Sequence, residues 1–282
     1  IRGIDNVKSI SAGEGFSAAI KKDGTLWTWG NNQHGQLGLS TEGNVVTPTH
    51  VLSNVNQVTC GARFMLALVG ETVYSWGNND KGQLGDKTII PHSSPTAISG
   101  NFKKISAGRE HVLAISTNGE LYSWGSSSVG QLGHNDKISK NIPTKVAAMT
   151  ASVKDICAAY SHSLAVTTDG NLYTWGEGRS GQMGNGEKNT YRVPKLISSM
   201  SGIVSASGGY SFSVVRDNNG KLWSFGNDDY GQLGIKSNKP VSVNFKIDVL
   251  TPSENKVVKT INVKNNEDYI VNINAKNISC LL

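Results

Sequence analysis

Residues 176–181 read GEGRSG and match the G-x-G-x-x-G fingerprint that cradles a dinucleotide pyrophosphate. That chemistry needs a helix after the glycine turn, because the helix N-terminus holds the phosphate. No helical periodicity follows residue 181, and the corresponding slots at 30–35 and 125–130 read GNNQHG and GSSSVG. The glycines therefore belong to a repeated loop, not to a nucleotide site. His34, His50, His92, His111, His134 and His162 show no metal-ligand spacing with one another or with cysteine. No G-x-S-x-G elbow and no phosphate loop occurs. The adjacent carboxylates Asp228 and Asp229 read as solvated loop charge. The chain carries no signature of a hydrolase, kinase or metalloenzyme, and no cofactor is expected.

The repeated loop sits in a longer unit. LWTWGNNQHGQLG at 26–38 returns as VYSWGNNDKGQLG, LYSWGSSSVGQLG, LYTWGEGRSGQMG and LWSFGNDDYGQLG. The glycine after each aromatic falls at Gly30, Gly77, Gly125, Gly176 and Gly226, at intervals of 47, 48, 51 and 50 residues. A fixed period of this size marks a solenoid or propeller. In the third copy, 102–108 reads as a strand, 112–117 as a second and 121–125 as a third, with Asn-Gly turning the hairpin between the last two. The proline-bearing 142–148 suits an outer edge strand. Four short antiparallel strands per period describe one propeller blade. The expected fold is an all-β β-propeller of four-stranded antiparallel blades forming one domain over 1–282. Five clear repeats run to residue 235 and a degenerate sixth covers 236–282, where 257–273 overlays the first two strands. Six blades fit best, and seven if residues precede Ile1. The Trp or Phe before each repeat glycine is expected to pack between blades, and the Gln of GQLG to bond loop backbone groups.

Composition supports this reading. Of 282 residues, 32 are glycine and only 7 proline, which suits many tight turns. No apolar run reaches membrane-spanning length. The net charge of +6 permits acidic partners, but the lysines are dispersed, so nucleic acid is not an expected partner. Cys60, Cys157 and Cys280 form no disulfide framework; Cys60 and Cys157 read as buried thiols, and the compartment as reducing and cytoplasmic. The final Cys-Leu-Leu is one residue short of a prenylation box, so a membrane enters only if that terminus is lipidated.

The unit SAGREHVLAISTNGELYSWGSSSVGQLG resembles the regulator of chromosome condensation repeat family over nearly the whole chain. The resemblance implies a propeller of around seven blades. The name-giving member is a guanine nucleotide exchange factor for the small GTPase Ran, and other members are interaction platforms, light sensors or inhibitors. In the exchange factor, residues between the repeat's glycine and its histidine contact the GTPase. The matching positions are Glu14 and Gly15, Ala62 and Arg63, Arg109 and Glu110, Tyr160 and Ser161, and Gly209 and Tyr210, with Phe16, Phe64 and Ser211 in the histidine's place. Glu14, Arg63, Arg109, Glu110, Tyr160, Ser161 and Tyr210 are thus the expected partner-binding residues. The implied function is a protein-binding propeller engaging a small GTPase and promoting exchange on a Ran-like GTPase. The alternative is a non-catalytic interaction or inhibitory scaffold, because all five loops share one length and none forms a wedge. A monomer is expected, and the Lys- and Asn-rich repeats suggest a bacterial effector acting in a host cell.

Overall fold

A computed structural model describes residues 3–234 in full, and beyond them three strands by backbone pairing alone: Val241–Ser242, Lys246–Leu250 and Val257–Asn262. Strands are the regular elements of the described residues, and their lengths follow the aromatic and β-branched runs between glycine-bearing turns. Blade 1 holds β1 (Val7–Ala12), β2 (Phe16–Lys21), β3 (Leu26–Gly30) and β4 (Val45–Leu52). Blade 2 holds β5 (Val55–Cys60), β6 (Phe64–Val69), β7 (Thr72–Gly77) and β8 (His92–Ala97). Blade 3 holds β9 (Phe102–Ala107), β10 (His111–Ser116), β11 (Leu121–Gly125) and β12 (Lys140–Lys145). Blade 4 holds β13 (Val153–Ala158), β14 (His162–Thr167), β15 (Leu172–Gly176) and β16 (Tyr191–Leu196). Blade 5 holds β17 (Ile203–Gly208), β18 (Phe212–Asp217), β19 (Leu222–Gly226) and β20 (Val241–Ser242). Each is an antiparallel meander in chain order. Beyond blade 5, β21 (Lys246–Leu250) pairs antiparallel with β22 (Val257–Asn262), so 257–262 is joined to the strand before it and not, as the expected overlay has it, to one after it; residues 263–282, with Cys280, lie outside the described residues.

First strands of successive blades lie side by side, and side chains satisfy the backbone between them. Ser11 Oγ accepts the Cys60 N–H at 3.0 Å, Thr59 Oγ1 the Ala107 N–H at 3.0 Å, and Ser106 Oγ the Ala158 N–H at 2.9 Å. Two positions earlier, the Gln57 amide bonds both backbone groups of Ile105, and Asp155 accepts the Ala206 N–H and the Lys104 ammonium. Sheet edges turned toward a neighbour are thus occupied, as a stack of small sheets requires. The fourth strands β4, β8, β12 and β16 each carry a proline (Pro48, Pro95, Pro143, Pro194), tolerated because no further strand pairs there. The outer rim is latched as well: the N–H groups of Ser40, Lys87 and Asn135 donate to Ser93, Asn141 and Arg192 of the next blade, each at 2.9 Å. These three residues take left-handed backbone, φ 60°, 75° and 64°, to reach across.

The repeated motif is the fastener between blades. Trp76, Trp124, Trp175 and Phe225 are fully buried, and each indole N–H donates to the backbone carbonyl of the preceding blade's motif glutamine (Gln36, Gln83 and Gln131) at 2.8–3.0 Å. The last motif glycine explains itself at Gly85: φ is 72°, and a Cβ there would stand 2.7 Å from Trp124 Nε1. The glutamine side chain closes the loop, its Oε1 accepting a backbone N–H two residues back in all five copies. Trp29 differs, being only half-buried, because no blade precedes it among the described residues.

Candidate protein-binding face

Strand direction puts the turn after each first strand and the loop after each third strand on one face. Backbone bonds join them: Asn31, Asn78, Ser126, Glu177 and Asn227 donate their N–H groups to Gly15, Arg63, Glu110, Ser161 and Ser211. Neighbouring turns are also tied, Glu14 N–H to the Ala62 carbonyl and Ala62 N–H to that of Arg109. All seven expected partner-binding residues therefore lie on this face.

One assignment needs correction. Ladder register pairs Gly208 with Ser213 just as Ala158 pairs with Ser163 and Ala107 with Val112. The repeat glycine of blade 5 is thus Gly209, its turn pair is Tyr210 and Ser211, and the histidine's place belongs to Phe212. The sequence reading slipped by one because Gly208-Gly209 offers two glycines for one slot. Tyr210 remains in the set, now equivalent to Tyr160, Arg109, Ala62 and Glu14.

These side chains converge. Arg63 Nε lies 3.3 Å from Glu14 Oε2, between blades 1 and 2. The Arg109 guanidinium sits 4.9 Å over the Tyr160 ring, and that ring meets Tyr210 at 4.0 Å with planes 40° apart. The result is a cation–aromatic–aromatic stack across blades 3, 4 and 5 whose last member, Tyr210, is 66 % exposed. Burial raises the Tyr160 hydroxyl above the ordinary tyrosine range, with Arg109 pulling the other way; Glu14, three blades distant, still bears on it. Glu14, Arg63, Arg109 and Glu110 also line a polar depression of about 100 Å³ with Asn78 and Gln83. Ser161 is half-buried and holds the Glu177 N–H through its carbonyl, so it positions the loop. Asp228 is no solvated charge: its Oδ1 accepts the Leu233 N–H at 2.8 Å, the loop-closing task of Asn32 and Asn79 in earlier blades. Tyr230, 95 % exposed on the same face, escaped the sequence reading because only aromatic positions inside strands carried a pattern.

His111 and His162 lie beneath this face with no exposed surface. Each Nε2 bonds a serine of the next blade, Ser163 at 3.0 Å and Ser213 at 2.9 Å. Both serine hydroxyls donate onward to backbone carbonyls, Gln131 and Gln182, so they accept from Nε2–H, which fixes the tautomer and leaves Nδ1 bare. Burial pushes both imidazoles down to about 3. Where the slot holds Phe16 or Phe64, the next blade answers with apolar Met65 or Val112. Histidine is a blade fastener here, not a chemical group. Cys60 is likewise buried, its thiol pushed up to about 12 by desolvation, which removes it from nucleophilic chemistry; Cys157 is buried too.

The family model of the RCC1-like domain matches residues 2–280. The chain belongs to the RCC1-like domain family. Among curated relatives of this family, the ultraviolet-B receptor UVR8 of Arabidopsis thaliana is 29% identical over 90% of this chain and 48% of its own length. The human E3 ubiquitin-protein ligase HERC2 is 38% identical over 35% of the chain and 2% of its own, and human RCC2 is 39% identical over 29% and 16%. The chain thus spans half or less of the length of these relatives. Human WBSCR16 superposes with a TM-score of 0.76 at 24% identity, covering 86% of this chain and 68% of that one. Prp20p of Saccharomyces cerevisiae gives 0.74 at 23%, covering 84% and 65%, and is described with its binding properties to Gsp1p and histones. These likenesses establish the RCC1-type propeller fold.

Proposed function

We propose that this propeller binds a protein through the face bearing Glu14, Arg63, Arg109, Tyr160 and Tyr210, that the partner is a Ran-like small GTPase, and that binding promotes guanine nucleotide exchange. The observation that carries the reading is the Arg109–Tyr160–Tyr210 stack, an ordered aromatic and arginine cluster ending in a solvent-exposed ring. Aromatic and arginine side chains dominate the energetics of protein interfaces. Support from the family comes through Prp20p, studied for its binding to Gsp1p. Exchange asks for no nucleophile or metal, only tighter binding of the nucleotide-free conformer than of the nucleotide-bound one. A cytoplasmic setting, in the producing cell or in a host entered by an effector, is part of the same proposal.

A second reading has its own observation. All five third-to-fourth-strand loops keep four residues between their glycines, and each is closed by its own glutamine, so none projects as a wedge. That favours a scaffold that binds without exchange. Release of fluorescent GDP from purified Ran separates the two. Exchange predicts acceleration of roughly a hundredfold or more, with at least about tenfold lost in Tyr210→Ala. No acceleration of Ran or any GTPase in a panel would leave the scaffold.

A further inference from the structure

Exposed isoleucine is concentrated at one outer corner of the same face. Ile89 is 63 %, Ile90 67 %, Ile138 64 % and Ile142 44 % exposed, all at the junction of blades 2 and 3. Ile89 and Ile90 lie in the loop entering β8, Ile138 in the loop entering β12, and Ile142 in β12 itself. The two loops are tied by a pair of bonds: Lys87 N–H to the Asn141 carbonyl at 2.9 Å, and Asn141 Nδ2 to the Lys87 carbonyl at 2.8 Å. At the matching places in other blades stand Gly43 and Asn189 for Ile90 and Ile138, so the repeat does not require apolar residues there.

The isoleucines are held out rigidly. Asp86 Oδ1 accepts the Thr88 N–H and hydroxyl, and Asn79 Nδ2 donates to the Ile90 carbonyl, which pins the first loop. Asp136 Oδ1 accepts the Ile138 N–H at 2.9 Å and pins the second. Of the three acids in these loops, Asp86 pairs with His92 and Asp136 with Lys140, each at 3.2 Å, and Asp80 lines the polar depression beside Arg63 instead. Lys87 and Lys137 stand next to the isoleucines in sequence and make no ion pair among the described residues.

Protruding branched apolar side chains flanked by free ammonium groups match an anionic bilayer surface. Its acyl region deforms around separate projections, and its headgroups pair with lysines. We infer that the Ile89–Ile90–Ile138–Ile142 corner is a peripheral docking site for membranes rich in anionic lipid. This inference does not depend on a GTPase partner.

Co-sedimentation with large vesicles tests it, using phosphatidylcholine alone and phosphatidylcholine with about 30 % phosphatidylserine. The intact chain partitions at least about tenfold more strongly onto the serine-containing vesicles. Ile89→Asp/Ile138→Asp loses about tenfold or more of that partitioning with an unchanged thermal midpoint, because both side chains are exposed. Lys87→Ser/Lys137→Ser loses several-fold and becomes less salt-sensitive. Val46→Asp, at a 90 % exposed site on blade 1, binds like the parent. Absence of the chain from the serine-vesicle pellet would overturn the inference and point to a protein as occupant of the corner. Equal partitioning of the isoleucine variant and the parent would overturn it as well, leaving surface charge alone.

Discussion

At the residue scale, the buried histidines make a measurable claim. His111 and His162 stay neutral in the fold until pH falls to about 3, whereas an unfolded histidine titrates near 6.5. Between those values the unfolded chain binds more protons, so the stability that neutrality confers is complete above about 6.5 and drains as pH falls toward 3. Each histidine should cost about 1.4 kcal/mol at pH 5.5 relative to pH 7.5, about 3 kcal/mol together. His111→Phe should remove about half of that loss in urea titrations, since Phe16, Phe64 and Phe212 already occupy the equivalent slot. An unchanged pH slope would mean that His111 is hydrated in solution. The residues proposed to face a partner behave differently: their pairs are exposed, as with Glu14 and Arg63, and contribute little to folding. Their worth lies in the surface that they present.

At the scale of strands and loops, the repeat was legible because its period, its Asn-Gly hairpins and its aromatic-glycine pairs are local in sequence. The proline-bearing outer strands followed from backbone chemistry alone. What stayed hidden was chemistry between blades, where one partner lies about fifty residues from the other. The match of His111 to Ser163 and of Phe64 to Val112 is such a case, and so is the latch from Lys87 to Asn141. Register was legible to within one residue, and Gly208-Gly209 shows why one is not always enough. Tyr160 and Tyr210 were legible as candidate contacts through the family resemblance, but their stacking depends on neighbouring blades turning toward each other. The motif glycines carry the prediction that belongs here. Gly85→Ala should cost about 2–4 kcal/mol, from left-handed backbone at φ 72° and from displacing Trp124 off the Gln83 carbonyl. The fall should appear as a lower urea midpoint with a blue-shift lost from the tryptophan emission. A midpoint equal to the parent's would show that the blade interface accommodates a methyl group, against the packing described.

At the scale of the whole molecule, the five described blades turn one set of loops toward a single face and fasten themselves at three radii. Backbone-to-hydroxyl bonds serve the inner strands, indole-to-carbonyl bonds the middle, and carbonyl latches the rim. These fastenings hold the loops of that face in one arrangement, which suits the proposed selection of one conformer of a partner. Exchange requires that the Tyr210-bearing face prefer a GTPase without nucleotide. The direct measurement is the affinity of the immobilised propeller for Ran stripped of nucleotide and for Ran loaded with GDP, each repeated with Tyr210→Ala. The stripped form should bind at least about tenfold more tightly, and the variant should lose about thirtyfold, corresponding to an interface residue worth about 2 kcal/mol. Equal affinity for the two forms, or binding that Tyr210→Ala leaves untouched, would contradict exchange through this face.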